Sequence, residues 1–246
     1  REDRLPDLPH PKIARGGVAT KITWDWSTAG KLKDGKPQII KDEKGHITYD
    51  SRKGDFKLAE NIAPEYVWFN GEVKYTLLGD KVSKDNEPVG INRLGGGPND
   101  GKSLIWPVKV FRGSQPFDPV NQTLITPHTA GTDEAAYWSN FGWDKAIEVG
   151  MKTSNTPFSG KYDFIKTEMS WPITHMVAPK TEALACVECH VREGGRLAKI
   201  SGVYMPGRDR WALLDMVMGW LAALTLAGVI GHGALRFVMS RKSAKA

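Results

Sequence analysis

The longest apolar run of the chain lies near its C-terminus. From Ala212 to Met239 nearly every residue is apolar, and Met216–Ile230 contains no charged side chain. About 20 apolar residues are enough for a helix to cross the hydrocarbon core of a bilayer, so this run predicts one transmembrane helix. The basic residues that follow the run favour a cytoplasmic C-terminus, whereas Arg208 and Arg210 on the other flank act against that orientation. They are Arg241, Lys242 and Lys245.

Upstream of this run the apolar pattern predicts only short elements. Aromatic patches at Trp24–Trp26 and Tyr66–Phe69 are separated by polar turns. Apolar residues alternate with polar ones beside turn-forming residues at Gln38–Ile40 and Ile47–Tyr49, which predicts two short strands or a hairpin.

Two further stretches have a helical pattern. Thr132 or Asp133 can cap a helix that runs to about Met151. The apolar face of that helix would contain Tyr137, Phe141 and Ala146 or Ile147. The segment from Thr181 into Cys186 is also predicted to be helical.

Composition adds to this picture of few regular elements. The 246 residues include 26 glycines and 15 prolines, and 40% of the residues are hydrophobic. We therefore predict a body that is mostly α and irregular, with few short strands. The formal net charge of +6 comes largely from lysines that alternate with acids within Lys31–Lys57. That alternation indicates a solvated face, and nucleic acid is excluded as a partner.

The glycine-rich stretch Gly96–Ser103 matches the P-loop expression, but its surroundings do not. A P-loop needs a helix whose N-terminus faces the phosphates. Here β-branched residues and Pro107 follow at Leu104–Val110, and Pro98 lies inside the loop. We interpret the match as coincidental.

The strongest chemical motif is Cys186-Val-Glu-Cys189-His190. Two thiols at this spacing form thioethers with haem, and the adjacent imidazole binds its iron, so the motif predicts covalently attached haem c. A thioredoxin-like pair of redox thiols is the alternative, but it needs a strand-to-helix context and leaves the histidine unexplained. The chain has only these two cysteines. Haem of this kind is attached outside the cytoplasm in bacteria, which predicts a periplasmic location for this part of the chain.

Other histidines are candidates for the second axial position of a low-spin haem. His175 follows a proline-fixed turn and precedes Met176, and His128 lies in the constrained stretch Pro127–Gly131. His46 lies in a charged turn and is interpreted as a surface residue. His232, near the cytoplasmic end of the predicted helix, is either a b-type haem ligand or quinone-site group, or a packing residue.

Small residues repeat every fourth position along the predicted transmembrane helix. Such a strip lets a second helix approach closely, which predicts a partner in the membrane; the alternative is a lone anchor. The repeat consists of Asp215, Gly219, Ala223, Ala227 and Gly231.

Several separate blocks, in order, resemble the C-terminal half of the octahaem c-type cytochromes of the tetrathionate reductase family. The blocks lie within residues 11–208 and are Trp24–Lys31, Pro64–Gly71, Ile91–Gly96, Ile105–Val110, Gln115–Asn121, Thr126–Thr129, Trp171–His190 and Tyr204–Arg208. The family consists of periplasmic reductases of small sulfur and nitrogen oxyanions, related in haem arrangement to nitrite reductases and hydroxylamine oxidoreductases. The resemblance implies a multihaem cytochrome c-like fold.

The resemblance also implies roles for individual residues. Cys186, Cys189 and His190 would carry the last haem of the series, with His128 and His175 as distal ligands. The family's other seven haems, including the catalytic haem, would belong to sequence N-terminal to this chain, so no catalytic residue is assigned here.

Residues 1–10 do not fit this pattern. Family members have a Cys-x-x-Cys-His motif just before the stretch that corresponds to Pro11 and Lys12. With one choice of codons for Leu5–His10, a shift of one base encodes Cys-Gln-Thr-Cys-His, so we interpret residues 1–10 as an out-of-frame or disordered segment in which His10 is not a ligand. The predicted domains are then residues 1–10, a periplasmic haem-binding region at 11–206, and an anchor with a short cytoplasmic tail at 207–246.

These observations predict the haem-binding electron-transfer portion of a membrane-anchored periplasmic multihaem reductase in the bacterial inner membrane. Its partners would be an upstream multihaem region or an electron-donor subunit such as a quinol-oxidising cytochrome b, and a small oxyanion. The alternative is a non-enzymatic monohaem cytochrome that relays electrons from a quinol-oxidising partner, with His175 or Met176 as second ligand. A third possibility is an anchor subunit whose haem only holds the fold.

Overall fold

The computed structural model describes residues 19–60, 62–173, 181 and 183–243, and it contains far more strands than helices. The strands are β1 Thr20–Asp25, β2 Leu32–Lys33, β3 Lys36–Pro37, β4 Ile39–Lys41, β5 Ile47–Asp50, β6 Gly54–Ala59, β7 Glu65–Phe69, β8 Val73–Tyr75, β9 Val89–Gly90, β10 Asn92–Leu94, β11 Leu104–Asp118, β12 Thr123–Leu124 and β13 Asp163–Pro172. The α-helices are α1 Tyr137–Asn140, α2 Trp143–Thr153 and α3 Ala212–Ser243. Single 3-10 turns occur at Trp26–Thr28, Lys84–Asn86 and Cys186–Glu188.

A nine-stranded sheet contains most of these strands. Its path is β4-β5-β6-β1-β11-β13-β9, and β7 and β12 also pair with β11. Most neighbours are antiparallel; β1 pairs with β11, and β9 with β13, in parallel. The antiparallel pairs β2-β3 and β8-β10 form two further sheets of two strands each.

The prediction of a mostly α and irregular body is therefore wrong. The β-branched and aromatic residues that were recognised as short patches belong to strands whose partners are distant in sequence; β11, for example, pairs with β13 from Val108↔Pro172 to Phe117↔Asp163. Strand preference depends on such neighbours, which a local pattern does not contain. The predicted strand pair near residues 38–49 is confirmed, because β4 and β5 pair antiparallel.

The stretch that matches a P-loop is the turn between β10 and β11. Leu104 begins a strand, and the Asp100 carboxylate accepts hydrogen bonds from the backbone N–H groups of Gly97, Lys102 and Ser103. These N–H groups are thus already bonded to an acidic side chain, whereas in a P-loop the backbone N–H groups are free to bind phosphate.

The predicted helix that would run from residue 132 or 133 to Met151 is divided in two. Phe141 adopts a left-handed backbone with φ of 60° between α1 and α2. Asp133 does not cap α1, whose N-cap is Ala136; its side chain accepts the N–H of Ala135 instead. The apolar face is largely as predicted: Tyr137, Ala146 and Ile147 are completely buried.

Two groups of apolar side chains form the core beside the sheet. The first contains Val82, Val89, Phe117 and Ile165. In the second, Ile147 and Met151 of α2 pack on Ile125, with Trp143, Phe158 and Tyr162 at the margin. Gly150 allows this packing, since a Cβ there would lie 2.0 Å from the Thr126 carbonyl oxygen.

The described residues divide into two compact units. Residues up to Ala185, together with Lys199–Val203, form the sheet unit. Cys186–Ala198 and the residues from Tyr204 onward form the C-terminal unit. The motif at Cys186–His190 therefore belongs to the same unit as α3, and the predicted domain boundaries at residues 10 and 206 stay predictions.

α3 is the helix expected from the apolar run. Its 32 residues correspond to about 48 Å of helix. Over Ala212–Arg241 it has a mean hydropathy of 2.0, and none of that window is buried. Among the described residues it is the one helix whose length and composition suit a membrane span.

Asp118, at the end of β11, is a buried carboxylate whose oxygens are fully used. Its side chain accepts hydrogen bonds from the backbone N–H groups of Val120, Asn121 and Ser159, the Ser159 hydroxyl and the Asn121 amide. Burial acts to raise the pKa of Asp118, but these donors outweigh burial, and the pKa lies below its ordinary value. The carboxylate thus ties the loops after β11 and before β13 to the sheet.

We expect Asp118→Asn to destabilise the sheet unit by about 2–3 kcal/mol, because an amide loses the charge that these donors stabilise and turns an N–H group toward some of them. Denaturant unfolding of the detergent-solubilised, haem-loaded chain, followed by near-UV circular dichroism, measures this loss. Asp55→Asn is the matched control, since Asp55 is an exposed strand carboxylate whose oxygens accept no hydrogen bond from the described residues. Equal midpoints for the two variants would contradict the assigned role.

The same contacts give a pH dependence. Since the folded pKa of Asp118 is depressed, its stabilisation is present above the unfolded value of about 3.9 and is lost as the pH falls through the lower folded value. The stability difference between the natural chain and Asp118→Asn should therefore shrink below about pH 4. A difference that stays constant from pH 6 to pH 3 would show that ionisation of Asp118 does not matter.

Candidate haem site

The two cysteines and the adjacent histidine lie on one tight turn. The Cys186 carbonyl accepts hydrogen bonds from Cys189 N–H at 3.2 Å and from His190 N–H at 2.8 Å. Residues 183–185 have no regular secondary structure and Cys186–Glu188 form a 3-10 turn, so the predicted helix into Cys186 is wrong for the residues described there. The 190 N–H to 186 carbonyl bond still places all three side chains within a single helical turn.

The His190 ring is held by a backbone carbonyl. Its Nδ1 lies 3.0 Å from the Pro206 oxygen. A carbonyl only accepts, so Nδ1 carries the proton, and the lone pair of the neutral ring lies on Nε2. The side chain is exposed, and Nε2 has no hydrogen-bond partner among the described residues. Nε2 is therefore available as a metal-binding atom.

The second half of the turn is braced from one side. Arg196 donates its backbone N–H to the Glu188 carbonyl at 2.8 Å and its Nε to the Glu188 carboxylate at 2.6 Å. The Arg196 side chain is only 12% exposed, so this ion pair is partly shielded from water. Gly195 lies close to the Cys189 carbonyl, because a Cβ at position 195 would be 3.1 Å from that oxygen.

The two thiols differ in surroundings. Cys186 is exposed, Cys189 is half-buried, and both are free. Burial raises the pKa of the Cys189 thiol, an effect that the Arg196 charge opposes and the Glu188 charge reinforces. The described residues around the pair form no strand-to-helix element, which is the context that a thioredoxin-like redox site requires.

This donor set fits haem c. Two free thiols on one turn match the two thioethers of the cofactor, and a neutral imidazole whose Nε2 is unengaged matches the axial position of its iron. The carbonyl on the other ring nitrogen supplies the second-shell bond that ligating histidines commonly make.

His128 is placed by the sheet unit rather than by the cysteine turn. Its N–H donates to the Ala146 carbonyl at 2.8 Å, and its own carbonyl accepts the N–H of Tyr137. Nε2 of His128 lies 2.9 Å from the Asp133 carboxylate, and this hydrogen bond lowers the pKa of Asp133. A role for Nε2 as an iron ligand thus requires release of Asp133, and the distal assignment of His128 stays a prediction.

The remaining histidines are His10, His46, His175 and His232, and His232 lies in α3. His10 and His175, with Met176, lie outside the described residues, so the distal assignment of His175 also stays a prediction. His46 is half-buried between Asp42 and Glu60, at 3.6 and 3.4 Å. Within the described ranges, no group of three or more His, Cys, Asp or Glu side chains is arranged to hold a metal ion.

Sequence reasoning did not assign the residues that orient His190. Pro206 and Gly207 were noted only as part of a family block, and Arg196 was not noted. The one local signal was the Pro-Gly pair, which indicates a turn but not the ring that its carbonyl would meet.

Comparisons with known proteins agree with this chemistry. A family model described as bacterial cytochrome c matches residues 21–193, which include the cysteine turn. The chain therefore belongs to the bacterial cytochrome c family, and its cofactor is covalently bound haem c.

One solved structure gives a more particular likeness. The octaheme cytochrome c from Shewanella oneidensis matches with a TM-score of 0.70 and 38% sequence identity. The match covers 78% of this chain and 43% of that chain, so the present chain spans less than half of that protein's length. The comparison with curated proteins gives no match.

Combined replacement of Cys186 and Cys189 by Ala should abolish covalent haem, because the chain has no other cysteine. Covalent haem is detected by haem staining after denaturing electrophoresis and by mass spectrometry of the intact chain. Val187→Ala is the control, since Val187 lies on the same turn with its side chain 68% exposed and should leave covalent haem unchanged. A haem-sized mass on the double variant would contradict the attachment site.

Proposed function

We propose that this chain is the C-terminal portion of a membrane-anchored, periplasmic multihaem reductase, and that it contributes one electron-transfer haem. The observation that carries the proposal is the likeness to an octahaem cytochrome over 78% of this chain but only 43% of that one. A single attachment motif in this chain is consistent with a piece that supplies the last haem of a longer series.

Within this chain, each residue of the motif has a defined task. Cys186 and Cys189 would hold the cofactor covalently, and Nε2 of His190 would bind the iron. The cofactor supplies a reversible one-electron centre when bound. The protein keeps the His190 ring in one tautomer through the Pro206 carbonyl, 3.0 Å from Nδ1, so Nε2 would remain free to bind the iron.

The reduction itself is assigned to the part of the whole protein that this chain does not cover. The substrate class is a small sulfur or nitrogen oxyanion, such as tetrathionate, nitrite or the related hydroxylamine. We assign no catalytic residue in this chain. The sheet unit would pack around haems attached elsewhere, with His128 and His175 as the residues that reach them.

α3 would anchor the enzyme in the inner membrane. The apolar run Ala212–Met239 is long enough for the hydrocarbon core, and the basic residues that follow it favour a cytoplasmic C-terminus. The haem-binding segment then lies in the periplasm, where haem c is attached. An upstream multihaem region or a quinol-oxidising subunit would exchange electrons with it.

A monohaem relay is the second candidate, and one observation favours it. The cysteine turn, the carbonyl that orients His190 and the apolar helix all belong to the C-terminal unit. A small anchored cytochrome would need only these parts.

Haem stoichiometry distinguishes the two candidates. The natural gene product, extracted from its own membranes, should contain several haems per polypeptide, measured as pyridine haemochrome against polypeptide mass. The nucleotide sequence upstream of codon 12, translated in all three frames, should encode further Cys-x-x-Cys-His motifs. One haem per polypeptide and an unrelated upstream region would support the relay and exclude the reductase.

Distal ligands are tested by replacement and optical spectroscopy. We expect His175→Ala or His128→Ala to remove the low-spin bands of the haem that each one ligates, whereas Met176→Leu should leave them unchanged. Asp133→Asn is the control for His128, because it weakens the 2.9 Å contact while keeping the imidazole. Low-spin bands of undiminished intensity in both histidine variants would remove His128 and His175 from the ligand set.

A further inference from the structure

The carbonyl that orients His190 belongs to a closed loop. We call Met205–Asp209 the clamp loop. The Met205 carbonyl accepts N–H groups from Arg208 at 3.1 Å and Asp209 at 2.9 Å, and the Met205 N–H donates to the Asp209 carboxylate at 2.7 Å. The first and last residues of the loop are thus bonded in both directions, which leaves the Pro206 carbonyl little freedom to move.

Arg208 connects the clamp loop to a second segment. Its Nε and Nη2 donate to the two oxygens of Asp209 at 2.8 and 2.7 Å, and its Nη1 donates to the Leu197 carbonyl at 2.7 Å. The Arg208 side chain is 14% exposed. A planar guanidinium that binds a carboxylate with two nitrogens and a carbonyl with a third fixes direction as well as distance.

Gly207 fixes how closely the loop approaches the haem turn. Its φ is +93°, and a Cβ would lie 2.8 Å from the His190 carbonyl oxygen. The backbone at residues 206–207 therefore lies directly against the backbone of His190. A side chain at this position would push the Pro206 carbonyl away from the ring.

We infer that Arg208 and Asp209 are positioning residues that hold the Pro206 carbonyl on Nδ1 of His190 and thereby lower the reduction potential of the attached haem. This inference rests on the proposed attachment of haem at Cys186, Cys189 and His190.

The sign follows from the chemistry of the ring. An acceptor on Nδ1–H raises the basicity of Nε2, and a more basic axial ligand stabilises ferric over ferrous iron. If the clamp loop loosens, the hydrogen bond weakens and the reduction potential rises. A role limited to folding would change stability and leave the potential of correctly folded protein unchanged.

The test uses Arg208→Gln combined with Asp209→Asn in the full haem-loaded chain. The double variant leaves the net charge unchanged, so a potential shift is not a simple effect of charge. The matched control is Arg192→Gln combined with Glu193→Gln, an adjacent Arg-Glu pair that is exposed in the same unit and conserves net charge in the same way. Spectroelectrochemical titration gives the midpoint potential, and the EPR g-values of the oxidised haem report the axial ligand field.

We expect a positive shift of the midpoint potential and altered g-values in the clamp variant, with the control unchanged and covalent haem content equal in both. A clamp variant with the potential of the control would overturn the inference. Covalent haem absent from the unmodified chain would instead refute the attachment site, so the two failures are distinguishable.

If the double variant does not fold, a milder substitution tests the same inference. Arg208→Lys keeps the charge and the aliphatic stem but cannot hold the carboxylate and the Leu197 carbonyl with one planar fork. We expect a smaller shift in the same direction. An unshifted potential in this variant, together with loss of fold in the double variant, would show that the pair is only structural and would reject the inference.

Discussion

Main-chain pairing along β11 is the interaction on which the sheet unit depends. This strand has β1 on one edge and β13 on the other, and it also pairs with β7 and β12. Residues from nearly the whole length of the sheet unit are thereby brought to one strand. Asp118 closes the far end of β11 by capturing the loop before β13. A chain rich in glycine and proline obtains its order in this way from long-range backbone hydrogen bonds, with comparatively little buried apolar surface.

The haem turn is built on a different principle. The Glu188–Arg196 pair and the clamp loop, which shape it, both belong to the C-terminal unit. Ionic side chains there bind backbone carbonyls and each other, and glycines at 195 and 207 allow backbone to lie against backbone. The sheet is thus formed by pairing between distant segments, whereas the cofactor site is a compact local structure that depends on a few directional bonds.

The sequence was informative where chemistry or periodicity is local. The Cys-x-x-Cys-His spacing, the apolar run of α3, the hairpin β4-β5 and the apolar face of α2 were all visible within short windows. The sheet was missed because the partner of a residue such as Val108 is Pro172, which no local pattern reveals. The break at Phe141 was also missed, since no glycine at that position marks the left-handed backbone. The role of Pro206 was hidden because a backbone carbonyl has no residue-specific signature.

The hydrogen bond from His190 to Pro206 also limits the distance between the His190 ring and α3. α3 begins at Ala212, six residues after Pro206, and a chain of that length spans at most about 22 Å when fully extended. The imidazole therefore stays near the start of α3. This holds although 21 positions separate His190 from Trp211, the residue just before α3. If α3 crosses a bilayer, an iron bound by His190 would be held close to the lipid headgroups. A redox partner would then have to bind at the membrane surface. Such a partner could reach the haem by diffusing in the plane of the membrane and would not need to diffuse through the whole compartment.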